Sequence, residues 1–141
     1  MKKTALIISL ACISLLTGIT VFFAAGGGRV LHRGKPFEDL DASRIASATV
    51  RLEPPDKTIQ IADVDELAGY LRDVVIYDRD NSYREYCGQA VTFTLTMTDG
   101  TQTEITEYNP FLVIDGVGYR TKYEPCEALS QYANQLLESN S

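Results

Sequence analysis

Apolar and polar residues alternate most strictly in VTFTLTMTDGTQTEIT, where Val91, Phe93, Leu95 and Met97 interleave with Thr92, Thr94, Thr96 and Thr98. A period of two with one apolar face predicts a half-buried β-strand. Register then selects the turn. A two-residue Asp99-Gly100 loop would set Leu95 opposite Glu104 and Met97 opposite Gln102, putting polar side chains on the apolar face. A three-residue Thr98-Asp99-Gly100 loop with Gly100 left-handed sets Phe93 opposite Ile105 and is the expected turn. The same treatment of FLVIDGVGY predicts an Ile114-Asp115-Gly116 loop that pairs Val113 with Val117 and Phe111 with Tyr119. Two such hairpins make a four-stranded meander. Its inner face would hold Val91, Phe93, Leu95, Met97, Ile105, Phe111, Val113, Val117 and Tyr119.

Upstream, Ala48, Val50 and Leu52 alternate with polar residues as far as Pro54-Pro55, and Ile59 and Ile61 follow. This predicts two short strands around a proline turn. Asp63 with Glu66 three residues later has the form of a capping box, and Val64, Leu67, Ala68, Leu71 and Val75 fall on one helical face. Gly69 weakens that helix by about 1 kcal/mol. A second helix is expected from about Pro125, with Cys126, Leu129, Ala133 and Leu136 as its buried stripe. The predicted fold class is α+β, an antiparallel β-meander of about five to six strands packed with two helices.

The first 28 residues have a different pattern. Lys2 and Lys3 precede an uncharged run from Thr4 to Gly28, and its apolar part, Ala5 to Ala25, would rise about 30 Å as a helix, close to a bilayer's hydrocarbon thickness. A cleaved signal has an apolar segment of only about 7 to 15 residues, although Ala24, Gly26 and Gly27 offer a cleavage site. Residues 1–28 are therefore expected to be a signal anchor, with a cleaved signal peptide as the alternative. Cys12 lacks the leucine three residues before it that a lipoprotein signal needs. Arg29, Arg33 and Lys35 balance Lys2, Lys3 and the terminal amine, so charge alone does not orient the span. The short charged flank before it places the C-terminal domain outside. Residues 29–43, rich in glycine and charge and without apolar period, are expected to be a flexible linker. Residues 44–141 are expected to form the extracytoplasmic domain.

A strand pair, a helix, then GQAVTFTLTMTDGTQTEIT and FLVIDGVGYR before a closing helix resembles a type of small domain found in secreted or membrane-anchored proteins of Gram-positive bacteria, many of them with no assigned activity. The resemblance covers roughly residues 44–138. It rests on a glycine before a long strand, two glycine turns and a following tyrosine, and it brings no catalytic residue with it.

Charge narrows the range of partners. The chain has 13 basic and 19 acidic residues, and with Lys2 and Lys3 in the leader the remainder carries a net charge near −8. Such a surface argues against nucleic acid, which rewards clustered Lys and Arg. It suits solubility or a cationic partner.

Candidate chemistry is sparse. The single histidine, His32, lies in the linker segment, which removes Ser-His-Asp and Cys-His mechanisms and the commonest zinc ligand from the domain. Asp78, Asp80 and Ser82 have the alternate spacing of a calcium loop, but Tyr83 stands where glycine is required and Gln89 where the bidentate glutamate would be, so an EF-hand is excluded. Glu104 with Glu107 or Asp115 could serve as a carboxylate pair for hydrolysis. Cys87 and Cys126, the domain's two cysteines, would form a disulfide in an oxidising compartment, or else be two buried thiols. Tyr77, Arg79, Tyr83, Arg84 and Tyr86 mix the residue types enriched at protein interfaces and are the candidate recognition surface. The alternative is that these tyrosines cover a sheet edge. No cofactor and no catalytic residue are expected. The function expected is a membrane-tethered extracytoplasmic binding or sensing module whose partner is an envelope protein or a wall component. The alternatives are a carboxylate-based envelope hydrolase and a secreted inhibitor-like domain released by signal cleavage.

Overall fold

The computed structural model describes residues 30–141, so the expected anchor over residues 1–28 lies outside the described residues. Among the described residues no helix is long and apolar enough to cross a membrane.

The two strands around the proline turn are β1, Ile45–Glu53, and β2, Lys57–Ile61, paired with Val50 opposite Ile59. Helix α1, Val64–Arg72, begins where Asp63 Oδ1 accepts the Glu66 N–H at 2.9 Å and buries Leu67, Ala68 and Leu71. A short strand β3, Ile76–Arg79, follows. The meander comprises β4, Ala90–Met97; β5, Gln102–Tyr108; β6, Phe111–Ile114; and β7, Val117–Thr121. Helix α2, Tyr123–Ser139, closes the chain with Cys126, Leu129, Tyr132 and Ala133 buried. All seven strands form one antiparallel sheet in the order β2-β1-β4-β5-β6-β7-β3, with both helices contributing to the core on one face. The fold class is α+β as expected, with slightly more strands. The added strand, β3, is four residues long and buries only Ile76, too short for alternation to reveal it.

The first hairpin has the expected register: Phe93 lies opposite Ile105, and Gly100 turns at φ +87°. The second does not. Ile114 pairs with Val117 and Leu112 with Tyr119 across a two-residue Asp115-Gly116 turn. Both turn residues have positive φ, 47° and 85°, and Asp115 Oδ1 fixes the turn by accepting the Glu104 N–H at 2.9 Å. The parity of β6 is set one step earlier. Asn109 and Pro110 alone connect β5 to β6, so Tyr108 faces Phe111 and Ile105 faces Ile114. The core therefore receives Leu112 and Ile114 rather than Phe111 and Val113.

Residues 30–43 are not a free linker. Gly34 and Ile76 exchange backbone hydrogen bonds at 3.0 and 2.8 Å, the Leu31 N–H donates to the Tyr119 hydroxyl at 2.7 Å, and Arg72 Nε donates to the Leu40 carbonyl at 2.9 Å. Leu31, Phe37 and Leu40 pack against the core, so three apolar side chains scattered without period give this segment an attachment that composition conceals.

Candidate functional site

The segment after β3 is held to the sheet by its backbone and two side chains. The Asp80 N–H donates to the Gly118 carbonyl at 2.9 Å, and Asn81 Oδ1 accepts the Gly118 N–H at 3.0 Å. Asp80 accepts from the Ser82 N–H at 2.9 Å and from Arg120 Nε at 3.1 Å. The Ser82 hydrogen bonds, with the Arg120 guanidinium, hold the Asp80 carboxyl below the usual carboxylate range. The Asp80 carboxylate, whose spacing from Asp78 and Ser82 is that of a calcium loop, thus has a structural role. A Cβ on Gly118 would lie 2.5 Å from the Asp80 carbonyl oxygen and 2.6 Å from the Tyr83 ring, so only glycine admits this approach.

Anchored in this way, the segment lays Tyr83 on the sheet face opposite the helices. Tyr83 stacks on Tyr108 with centroids 5.8 Å apart, and Tyr86 meets Tyr108 edge-on at 6.1 Å. Arg84 lies over the Tyr83 ring at 5.8 Å, and Arg120 over Phe111 at 5.1 Å. Of the five residues singled out in the sequence, Tyr83, Arg84 and Tyr86 come together. Tyr77 does not join them; it lies under the Arg33 guanidinium, 5.0 Å from its ring centroid. Arg79 is exposed and takes part in none of the ion pairs among the described residues. The cluster's centre, Tyr108, is the residue that sequence reasoning missed.

Beside the cluster, at the end of the sheet where β4 begins and β5 ends, is a polar cleft of about 200 Å³ lined by Tyr86, Gln89, Glu107, Asn109, Tyr123, Glu127 and Ser130. Tyr123, Glu127 and Ser130 are spaced four and three apart, so one face of α2 supplies them. Gln89 is fixed by Asn134 Nδ2 at 2.9 Å and by its own donation to the Pro54 carbonyl at 3.0 Å. Glu107 projects from β5 on the core side between Val91 and Leu112 and is 3% exposed. Its Oε1 accepts the Asn109 N–H and the Cys126 thiol, the latter at 3.6 Å. Burial pushes its carboxyl up to about 7, and the nearby Glu127 charge acts in the same direction; the Asn109 and Cys126 hydrogen bonds oppose them. Asn109 Nδ2 donates to Glu127 at 3.0 Å, while Asn109 Oδ1 is buried without a partner. The inward position of Glu107 was available from sequence, since alternation from Ile105 puts residue 107 on the same side.

The cysteines do not form the expected disulfide. Cys87 is exposed and Cys126 buried, and both are free. Cys126 is fixed under the sheet by Glu107 and by the Phe111 carbonyl at 3.7 Å, whereas Cys87 sits in the exposed segment between Tyr86 and Gly88. Burial, then the Glu107 charge, pushes the Cys126 thiol far up, which favours the protonated thiol over the reactive thiolate. Glu104 is exposed on the helix-free face, whereas Glu107 points the other way, so these two do not form a carboxylate pair. No protein-family model, curated protein or solved structure matches the chain.

Proposed function

We propose that the chain is a membrane-tethered extracytoplasmic binding module of a bacterial cell envelope, anchored through residues 1–28, whose partner is an envelope protein or a wall component. One observation supports this most: Tyr86 belongs to both features described above, packing edge-on against Tyr108 while lining the polar cleft. Aromatic rings held rigidly beside polar groups provide contact area at low entropic cost, the property of residues that dominate binding energy. The acidic surface and the resemblance to envelope domains agree with this reading.

A second reading, a carboxylate-based hydrolase, is favoured by one feature, the Glu107 carboxyl at about 7 in a cleft shared with Glu127. The binding-module reading is tested by in-cell crosslinking of the full-length protein through a photoreactive residue at Tyr86. A specific envelope crosslink that disappears in the Tyr83→Ala/Arg84→Ala double variant, at unchanged melting temperature, supports the binding module. No specific crosslink, or a domain spared by protease added to intact spheroplasts and digested after lysis, overturns it.

A further inference from the structure

The geometry points to the cleft at Glu107 as a binding site for a primary ammonium on a short aliphatic chain, as a lysine side chain or a free amine carries one. This deepens the binding-module reading and rests on it for the site's biological use. Two carboxylates, Glu107 and Glu127, share the cleft, and no lysine or arginine is among its lining residues. The ion pairs of the described residues lie elsewhere, at Arg51 with Glu53 and Asp56 and at Arg120 with Asp80. Glu107 is nine-tenths buried or more, so its ionised form lacks both water and a basic partner. The protonated form needs no partner, whereas the ionised form has no basic side chain in the cleft lining to compensate it.

The acceptor set selects the cation. Asn109 lines the same cleft, and its Oδ1 is buried with no hydrogen-bond partner, a costly state that a ligand donor reaching it would relieve. With the two carboxylates it makes three acceptors, and an alkylammonium presents three donors. A guanidinium fork needs both oxygens of a carboxylate, and Glu107 Oε1 is already engaged twice. A divalent metal is a poorer match, because no group of three or more His, Cys, Asp or Glu side chains among the described residues could hold one.

The rim fits the rest of such a ligand. Only three large apolar side chains are exposed among the described residues, and two of them, Tyr86 at 44% and Tyr123 at 58%, line this cleft. Rings next to carboxylates cover an alkyl chain and attract its cation through their faces. A volume of about 200 Å³ is that of roughly seven waters, enough for the ammonium and a four-carbon chain.

The groups facing Glu107 are Cys126, Glu127 and Ser130 from α2, Asn109 from the β5–β6 turn, and the rim tyrosines 86 and 123. None supplies a positive charge, so a bound cation would favour ionised Glu107 and displace its proton.

Calorimetric titration of the full-length chain in detergent micelles with butylamine, Nα-acetyl-lysine amide, Nα-acetyl-arginine amide and calcium chloride tests the site. Saturable one-to-one binding of the two amines is expected, about tenfold tighter at pH 8 than at pH 6, since the ionised fraction of a group near 7 changes by that factor. Glu107→Gln should weaken it at least tenfold. Tyr123→Ala, at an exposed position that leaves the fold intact, should weaken it several-fold. Tighter binding of the lysine amide assigns the ammonium to a peptide and tighter binding of butylamine to a free amine; either supports the site. No saturation by either amine, equal binding by both variants, or a preference for calcium or the arginine amide overturns it. If amine binding is absent while the crosslink at Tyr86 persists, only the ligand assignment fails; with the converse result, only the envelope partner fails.

Discussion

The two faces of the sheet are built from the same strands and follow opposite rules. On the helix-covered face, Val50, Leu52, Val91, Phe93, Leu95, Ile105, Leu112 and Tyr119 are all but inaccessible to water, and Phe93 stacks with Tyr132 of α2 at 6.4 Å. On the other, Thr49, Thr58, Thr92, Thr94 and Thr106 line a shallow groove of about 410 Å³ with Arg51, Glu53, Glu104 and Tyr108. Thr92 and Thr106 share a hydrogen bond at 3.0 Å there. Each face departs from its own rule, and the most marked departure on either face lies toward the same end of β5. The apolar face admits the carboxylate of Glu107, and the polar face acquires an aromatic cover where Tyr83 and Tyr86 meet Tyr108. A fold that needed only stability would require neither exception, so function is sought where they adjoin.

The comparison can be broken most severely from the apolar side. Phe93→Ala removes a fully buried ring and should cost about 3 to 5 kcal/mol, measured by urea unfolding. Thr94→Ala, one residue along and on the opposite face, should stay within about 0.5 kcal/mol of the parent. Equal costs would show that the two faces do not differ in burial.

Glu107 gives the next largest effect, visible as a pH dependence. Its folded value of about 7 exceeds its unfolded value of 4.5. Between those values the folded state keeps a proton that the unfolded state has lost. The contribution to stability is therefore fully present below pH 4.5 and falls as pH rises to about 7, by roughly 3 kcal/mol. Glu107→Gln should abolish this fall, so the variant gains on the parent as pH rises from 5 to 8 in a series of urea curves. Parallel curves for the two proteins would place the carboxyl in water rather than in the core.

The smallest effect belongs to the aromatic cover. Gly118→Ala forces a methyl against the Asp80 carbonyl and the Tyr83 ring, at a cost of about 1 to 3 kcal/mol. Tyrosine fluorescence should report the separation of Tyr83 from Tyr108, and hydrogen exchange should speed up at Asp80 while the amides of β4 keep their protection. Unchanged exchange at Asp80 would mean that Gly118 does not hold the cover in place.

Much of this architecture was legible in residue order, and the failures share a cause. The Asp99-Gly100 hairpin was readable because both flanking strands alternate, so only one register keeps polar groups out of the core. The Asp115-Gly116 hairpin has the same dipeptide, but β6 is apolar at all four positions and declares no face. Its orientation comes from the Asn109-Pro110 connection instead. At the site, sequence identified Tyr83, Arg84 and Tyr86 by residue type, yet their arrangement depends on Gly118, more than thirty positions downstream. Glu107 stands at an inward position of its strand, but a glutamate among threonines attracts no notice until its neighbours in space, Cys126 and Glu127, are known. Pairwise alternation can be read locally; partners brought together by topology cannot.

The strap of residues 30–43 has a practical consequence for anyone isolating this module. A chain cut at Arg44, the boundary that composition suggests, would strip the Tyr119 hydroxyl of its Leu31 donor, expose the outer edge of β3 and leave Arg72 without the Leu40 carbonyl. Unpaired outer strands invite self-association. The smallest honest excision therefore begins at or before Val30, and a shorter one would be expected to precipitate for reasons unrelated to what the protein binds.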